Sequence, residues 1–90
     1  MEFLEVQLEL FTVNICSRCD DARHMLSGIV AELNDDRLEL DYIDVVENID
    51  HAVEMGVLAT PALAVNGKLV FCPLPEREQV LQFLRNELKA

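Results

Sequence analysis

Within the first 45 residues, an alternating strand pattern is followed by an amphipathic helix pattern and then by a second strand pattern. From residue 4 to residue 10 every second residue is apolar, as in a half-buried strand. Apolar residues then recur at three- and four-residue steps from 22 to 33, which indicates a helix of about five turns. A second alternating run covers 38–45. Two strands joined through a helix predict a right-handed parallel crossover.

The second half of the chain predicts a short helix, a hairpin and a final helix. Asn48 is placed to cap the short helix and Gly56 to end it. Asn66-Gly67 separates two apolar runs, and this dipeptide is typical of a two-residue hairpin because both positions must adopt positive φ. Pro75 fits the first turn of the last helix. The predicted fold is α/β, with the order β-α-β-α-β-β-α and a four-stranded mixed sheet flanked by three helices.

Cys16 and Cys19 lie at the junction between the first strand and the first helix, at the strand end where open sheets bind ligands. Their spacing suits a thiolate that attacks a disulfide and a second thiol that releases the mixed disulfide. Free N–H groups at a helix start favour an anion, and Arg18 adds a positive charge. Such positions lower a cysteine pKa to roughly 3.5 to 7.5. Asp20 and Asp21 oppose this effect, so we expect moderate acidity.

The two cysteines are expected to have different roles. Cys16 is expected to be the attacking thiolate, because it stands nearer the free N–H groups at the predicted helix entrance. Cys19 is expected to be the resolving thiol, one turn further in. This chemistry needs no metal and no cofactor, since the two thiols carry both electrons.

Composition limits the class of protein and its partners. With 90 residues, 51% of them hydrophobic, the chain has enough apolar material for one core, so we expect residues 1–90 to form a single domain. Three cysteines do not make the even framework of a small secreted scaffold, and no basic leader is present, so we expect a cytoplasmic location. A formal net charge of −10 argues against nucleic acid and anionic membranes as partners. No apolar run reaches the length of a membrane span.

Three motifs together resemble the small glutaredoxin-like proteins of the thioredoxin-fold family, most of all the short archaeal and bacterial thioredoxins. They are the strand and Cys-X-X-Cys of residues 11–19, the run 57–63, and the hairpin 65–68, and the similarity covers nearly the whole chain. The resemblance implies a thioredoxin-like fold and a monomeric thiol-disulfide oxidoreductase that reduces or exchanges protein disulfides. It implies an upstream reductase or a low-molecular-weight thiol as the electron donor. It also implies that Thr60-Pro61 is a cis peptide facing the dithiol, with the backbone of Thr60 pairing with the substrate chain.

The chain departs from the family pattern at three places. Ser17-Arg18 replaces the Gly-Pro or Pro-Tyr usually found between the cysteines, and Leu10 stands where larger thioredoxins keep a buried acid. Residues 71–74 replace the Gly-Gly and acidic pair with which glutaredoxins hold glutathione. Neither the reduction potential nor glutathione dependence therefore follows from the resemblance.

Other functions remain open from the sequence alone. The cysteine pair is half of a zinc site that Cys72 with His24 or His51 would complete, although a second close-spaced pair is missing. Cys72 by itself is either a small hydrophobic residue that ends a strand or a third redox thiol near the dithiol. A thioredoxin-fold binding module or an electron relay for one dedicated partner is the remaining alternative. A general reductant would reduce an unrelated disulfide protein, and a dedicated relay would not.

Overall fold

The computed structural model describes residues 5–89, which form one four-stranded sheet and three helices. The strands are β1 (Val6–Thr12), β2 (Leu38–Asp44), β3 (Ala62–Val65) and β4 (Lys68–Phe71). The helices are α1 (Cys19–Leu33), α2 (Ile49–Met55) and α3 (Arg77–Lys89). This order confirms the predicted β-α-β-α-β-β-α arrangement. Leu4, which begins the predicted first strand, lies outside the described residues.

The strand order in the sheet is β2-β1-β3-β4. β1 pairs with β2 in parallel and with β3 antiparallel, and β3 pairs antiparallel with β4. The sheet is therefore mixed, and the parallel pair confirms the predicted crossover through α1. Within residues 5–89, no helix is long and apolar enough to cross a membrane.

The central position of β1 explains why its sequence is apolar on both faces near its end. On one face, Leu8 and Leu10 pack in a large cluster with α1 and α3. On the other face, Phe11 lies in a smaller cluster with Ala52 of α2. The buried members of the large cluster are Val6, Leu8, Leu10, Ala22, Leu26, Ile29, Leu63, Val65, Leu74, Val80, Leu81 and Leu84. Those of the smaller cluster are Phe11, Ala52, Ala62 and Ala64.

The predicted hairpin at Asn66-Gly67 is present, with φ angles of 51° and 78°. The Asn66 side chain also stabilises the turn, because its Oδ1 accepts a hydrogen bond from the Gln7 N–H at 2.8 Å. The Asn66 N–H in turn donates to the Gln7 carbonyl at 2.8 Å. The turn is thereby fastened to the beginning of β1, 59 residues away.

One predicted helix start is wrong, and another is right in position only. α3 begins at Arg77, so Pro75 precedes the helix and is not in its first turn. Asn48 is the N-cap residue of α2 as predicted, but its side chain makes no capping hydrogen bond, and its Nδ2 donates to the Asp44 carbonyl at 3.0 Å. In that loop the Asp44 carboxylate accepts hydrogen bonds from two backbone N–H groups that follow it. Gly56 ends α2 as predicted, with φ at 85°.

An ion pair between Asp35 and Arg37 fixes the connection from α1 to β2. The guanidinium donates to both carboxylate oxygens, at 3.0 and 2.8 Å, and reaches the Leu88 carbonyl at 3.0 Å. The hydrogen bond from the Arg37 side chain, followed by that from its backbone, lowers the pKa of Asp35 to about 2. The turn after α1 is thus tied to the end of α3.

Asp35→Asn is expected to lower the urea midpoint of unfolding at pH 7. Because the folded state depresses the pKa of Asp35, the stabilisation is fully present above its unfolded pKa of roughly 3.9 and is lost as the pH falls toward about 2. The difference between Asp35→Asn and the unchanged protein should therefore shrink between pH 4 and pH 2. Asp36→Asn, at the exposed neighbouring carboxylate, is the control. An equal effect of the two substitutions, or a difference that does not depend on pH, would contradict the assignment.

Candidate active site at the carboxyl end of the first strand

Cys16 and Cys19 form a disulfide directly after β1, with their Cα atoms 5.3 Å apart. The Cys19 N–H donates to the Cys16 carbonyl at 3.2 Å, which closes a tight turn around the bond. Cys19 is fully buried, whereas Cys16 is only partly buried. The two sulfurs are bonded to each other, and solvent can reach this bond on the Cys16 side.

The helix begins later than the sequence predicts. α1 starts at Cys19 with Arg18 as its N-cap residue, so Cys16 lies in the turn before the helix and Cys19 is not one turn inside it. The chain needs residues 13–18 to leave the sheet and reverse direction, and the first helical bond runs from the Ala22 N–H to the Arg18 carbonyl at 3.0 Å. α1 is also shorter than the predicted five turns because of this later start, whereas its end follows the chemistry of Asn34, the C-cap residue in the left-handed conformation at φ 47°.

Thr60-Pro61 lies beside this turn and forms a cis peptide, as predicted. Pro61 is buried and its carbonyl accepts a hydrogen bond from the Leu74 N–H at 2.7 Å. Pro61 and Arg18 line one cleft of about 200 Å³. The other residues of this cleft are Asp21, Ala22, Met25, Leu74 and Pro75. The structure therefore brings together the dithiol turn and the Thr60-Pro61 loop, which are separate in sequence.

Cys72 is a free, exposed thiol after β4. Its Sγ donates to the Ala59 carbonyl at 3.4 Å, so it contacts the loop that leads into Thr60-Pro61. The Cys72-Pro73 peptide is also cis, which the sequence did not predict. Cys72 is thus neither paired with the Cys16–Cys19 disulfide nor buried as a small hydrophobic residue; whether it serves as a third redox thiol remains a prediction.

The residues of the alternative zinc site are not assembled. Within residues 5–89, no group of three or more His, Cys, Asp or Glu side chains is placed to hold a metal ion. His51 Nε2 lies 2.9 Å from Glu9 Oε2, and its ring packs on Phe11 with centroids 5.6 Å apart. His24 is an exposed residue of α1. Neither histidine is therefore placed to complete a zinc site with the two cysteines.

Two residues near the disulfide were missed by sequence reasoning. Arg23, one turn after Cys19 in α1, donates to the hydroxyl of Thr12 at 3.2 Å and to the Asp20 carboxylate at 2.5 Å. Thr12 is only 3% exposed, at the end of β1. The i, i+3 spacing of Asp20 and Arg23 indicates their ion pair, but the contact with Thr12 depends on how α1 lies on the sheet.

Leu10 is fully buried in the large apolar cluster. Polar contacts at the end of this strand are made by Thr12, whose hydroxyl accepts from Arg23 and whose carbonyl accepts from the Val45 N–H at 2.9 Å.

A mixed sheet that carries a Cys-X-X-Cys disulfide at the end of its central strand, beside a cis-proline loop, is the architecture of a thioredoxin-fold thiol-disulfide oxidoreductase. Residues 5–85 match the family model described as "Thioredoxin domain". The chain therefore belongs to the thioredoxin family, and it is a thiol-disulfide oxidoreductase that uses the Cys16/Cys19 pair to reduce or exchange protein disulfides.

Relatives and solved structures agree with this assignment. The chain is 32% identical to the thioredoxin of Methanocaldococcus jannaschii over 84 residues, which covers 93% of this chain and 98% of the relative. It is 30% identical to a probable thioredoxin of Methanothermobacter thermautotrophicus, with the same coverage of both chains. Thioredoxin 1 of Thermosipho africanus superposes with a TM-score of 0.76 at 18% identity, over 92% of this chain and 94% of that one. The last comparison shows the fold alone.

Proposed function

We propose that Cys16 is the attacking thiol and Cys19 the resolving thiol in the reduction of protein disulfides. The observation that carries this assignment is the difference in burial within one disulfide, since Cys19 is fully buried and Cys16 is partly exposed. A disulfide on a folded substrate can approach only a sulfur that it can reach. Cys19 is placed to attack only after Cys16 has bonded to the substrate.

The proposed reaction moves two electrons in two exchanges. The Cys16 thiolate attacks one sulfur of the substrate disulfide, so that a mixed disulfide forms, the substrate S–S bond breaks, and the leaving thiolate takes a proton from water. The Cys19 sulfur then attacks the Cys16 sulfur, which breaks the mixed disulfide, and the proton of Cys19 passes to the second substrate thiolate as it leaves. The substrate ends as a dithiol, and Cys16 and Cys19 end in the disulfide form that the structure holds.

Charges around the turn support the ionised form of Cys16. Arg18 is an exposed cation between the two cysteines, and it precedes the first turn of α1, where free N–H groups carry positive partial charge. Asp20 opposes a nearby anion, but its ion pair with Arg23 offsets its charge. Asp21 stays exposed in the first turn. We assign Arg18 the role of favouring the thiolate.

Thr60 and Pro61 are proposed to bind the substrate chain next to its disulfide. The cleft that Pro61 shares with Arg18 supports this role, because Arg18 lies between the two cysteines and so places the cleft next to the dithiol turn. We further propose that residues 1–90 act as one domain and as a monomer in the cytoplasm. There an upstream reductase or a low-molecular-weight thiol would return two electrons to the disulfide.

Reduction of an unrelated protein tests this function against that of a dedicated relay. In the presence of the protein, kept reduced by dithiothreitol, insulin is expected to be reduced several-fold faster than by dithiothreitol alone. The rate is measured from the turbidity of the released chains. Cys72→Ser is the matched control and should keep this activity, because Cys72 is outside the disulfide pair. Rapid reaction with a small aromatic disulfide without any acceleration of insulin reduction would instead indicate a relay for one partner.

A further inference from the structure

A second cleft lies beside Ile15, the residue that precedes Cys16, on the β2 side of β1. It has a volume of about 390 Å³ and lies between the loop after β1 and the loop after β2. Its lining residues are Val13, Asn14, Ile15, Asp44, Val46 and Glu47. We infer that this cleft binds an apolar side chain with neighbouring Lys or Arg residues in the substrate segment that carries the disulfide. This inference rests on the proposed function and names the class of substrate that the site prefers.

The cleft is built by backbone hydrogen bonds. The Val45 N–H donates to the Thr12 carbonyl at 2.9 Å and so joins the two loops. The Asp44 carboxylate accepts from the N–H groups of Val46 and Glu47, at 2.8 and 3.2 Å, which holds the second loop in a turn. The cleft therefore keeps its shape without a partner, so little ordering is needed when one binds.

The apolar part of the cleft is exposed and next to the reactive sulfur. Ile15 is 96% exposed and Val46 is 72% exposed. Scattered exposed apolar residues are common on proteins, but these two line one cleft. Ile15 directly precedes Cys16, so this surface is next to the residue to which a substrate would bond. Formation of the mixed disulfide thus gives an apolar substrate side chain a place to be buried.

The charged part of the cleft determines which substrates fit it. Asp44 and Glu47 line the same cleft, and neither 13–17 nor 44–48 contains Lys or Arg. The formal net charge of −10 adds a negative potential around it. A basic residue beside the apolar one would be attracted, whereas an acidic residue would be repelled. The cleft that contains Pro61 is lined by one base and one acid, Arg18 and Asp21, so its lining charges offset each other.

Three synthetic peptides with the same intramolecular disulfide test the inference. Their flanking pairs are Leu-Lys, Leu-Glu and Ser-Ser, and the second-order rate constant of reduction by the dithiol form of the protein is measured for each. The Leu-Lys peptide is expected to react about tenfold faster than the Leu-Glu peptide at low ionic strength, and the difference should narrow at high salt. The Leu-Lys peptide should also react faster than the Ser-Ser peptide, and the part of this difference that comes from leucine should persist in salt.

Two substitutions separate the apolar and the charged contributions. Val46→Ser is expected to lower the ratio of the rate constant for the Leu-Lys peptide to that for the Ser-Ser peptide. Glu47→Gln is expected to lower the ratio of the rate constant for the Leu-Lys peptide to that for the Leu-Glu peptide. The matched controls are Val53→Ser and Glu54→Gln on the exposed side of α2, which lie outside the cleft and should leave both ratios unchanged.

The outcomes distinguish this inference from the proposed function. Equal rate constants for the three peptides, in a protein that still reduces insulin, would overturn the substrate preference and leave the function intact. A uniform slowing of all three peptides by Val46→Ser would also overturn it, because the residue would then support the turn and not recognise the substrate. Failure of the unchanged protein to reduce any of the peptides or insulin would count against the proposed function itself.

Discussion

Cys16→Ser is expected to bring disulfide reduction down to the background rate, because a serine hydroxyl does not ionise at neutral pH and cannot form a mixed disulfide. Cys19→Ala is expected to have a different effect. The first exchange still takes place at the partly exposed Cys16, but the resolving thiol is gone, so the mixed disulfide accumulates. Alanine is preferred to serine at Cys19 because this position is fully buried and a hydroxyl would lack a partner.

The trapped species is measured by intact mass spectrometry after incubation with a disulfide peptide. Cys19→Ala should gain the mass of one peptide chain, and dithiothreitol should remove it. Cys72→Ser combined with Cys19→Ala is the control that shows that the adduct forms on Cys16. Turnover by Cys16→Ser at the unchanged rate, or an adduct on Cys19 in that variant, would reverse the proposed roles of the two sulfurs.

Phe11→Ala is expected to destabilise the fold by about 3–5 kcal/mol. Phe11 is fully buried in the central strand, and its ring packs on His51 with centroids 5.6 Å apart. The other buried members of its cluster are Ala52, Ala62 and Ala64. Partly buried apolar side chains such as Ile43, Met55 and Leu69 pack against this cluster, and they can fill only part of the space left by the ring. Small domains have only about 5–15 kcal/mol of stability in total.

Urea unfolding followed by circular dichroism measures this loss. Leu58→Ala is the control, since this large apolar side chain is 94% exposed and its removal should change the free energy of unfolding by less than about 0.5 kcal/mol. A loss below about 1 kcal/mol for Phe11→Ala would mean that the small cluster beneath α2 contributes little to stability.

Most of the secondary structure could be predicted because its signals are local. Alternation in β1, the periodic apolar residues of α1 and the Asn66-Gly67 turn each depend on neighbours within a few residues. These signals, together with the crossover rule, are enough to set the order of elements. The position of the dithiol at the end of β1 followed from the same patterns.

The exposure and contacts of single residues could not be predicted where they depend on the whole sheet. Tyr42 alternates with polar residues as a core position would, yet it is 48% exposed because β2 is an edge strand. Ile49 and Val53 are exposed because the seven-residue α2 covers only a small cluster, with Ala52 as its buried residue. The contact of Arg23 with Thr12 requires the packing of α1 against the end of β1.

The sheet order has a consequence for synthesis of the chain. β1 pairs with β2 on one edge and with β3 on the other, and β3 begins only at Ala62. While the ribosome is still making the region beyond α2, the backbone of β1 can pair on one edge only and its second edge is open to other chains. Nascent chains that stop before Ala62 should therefore be the ones that chaperones retain, and release should follow once β3 has emerged.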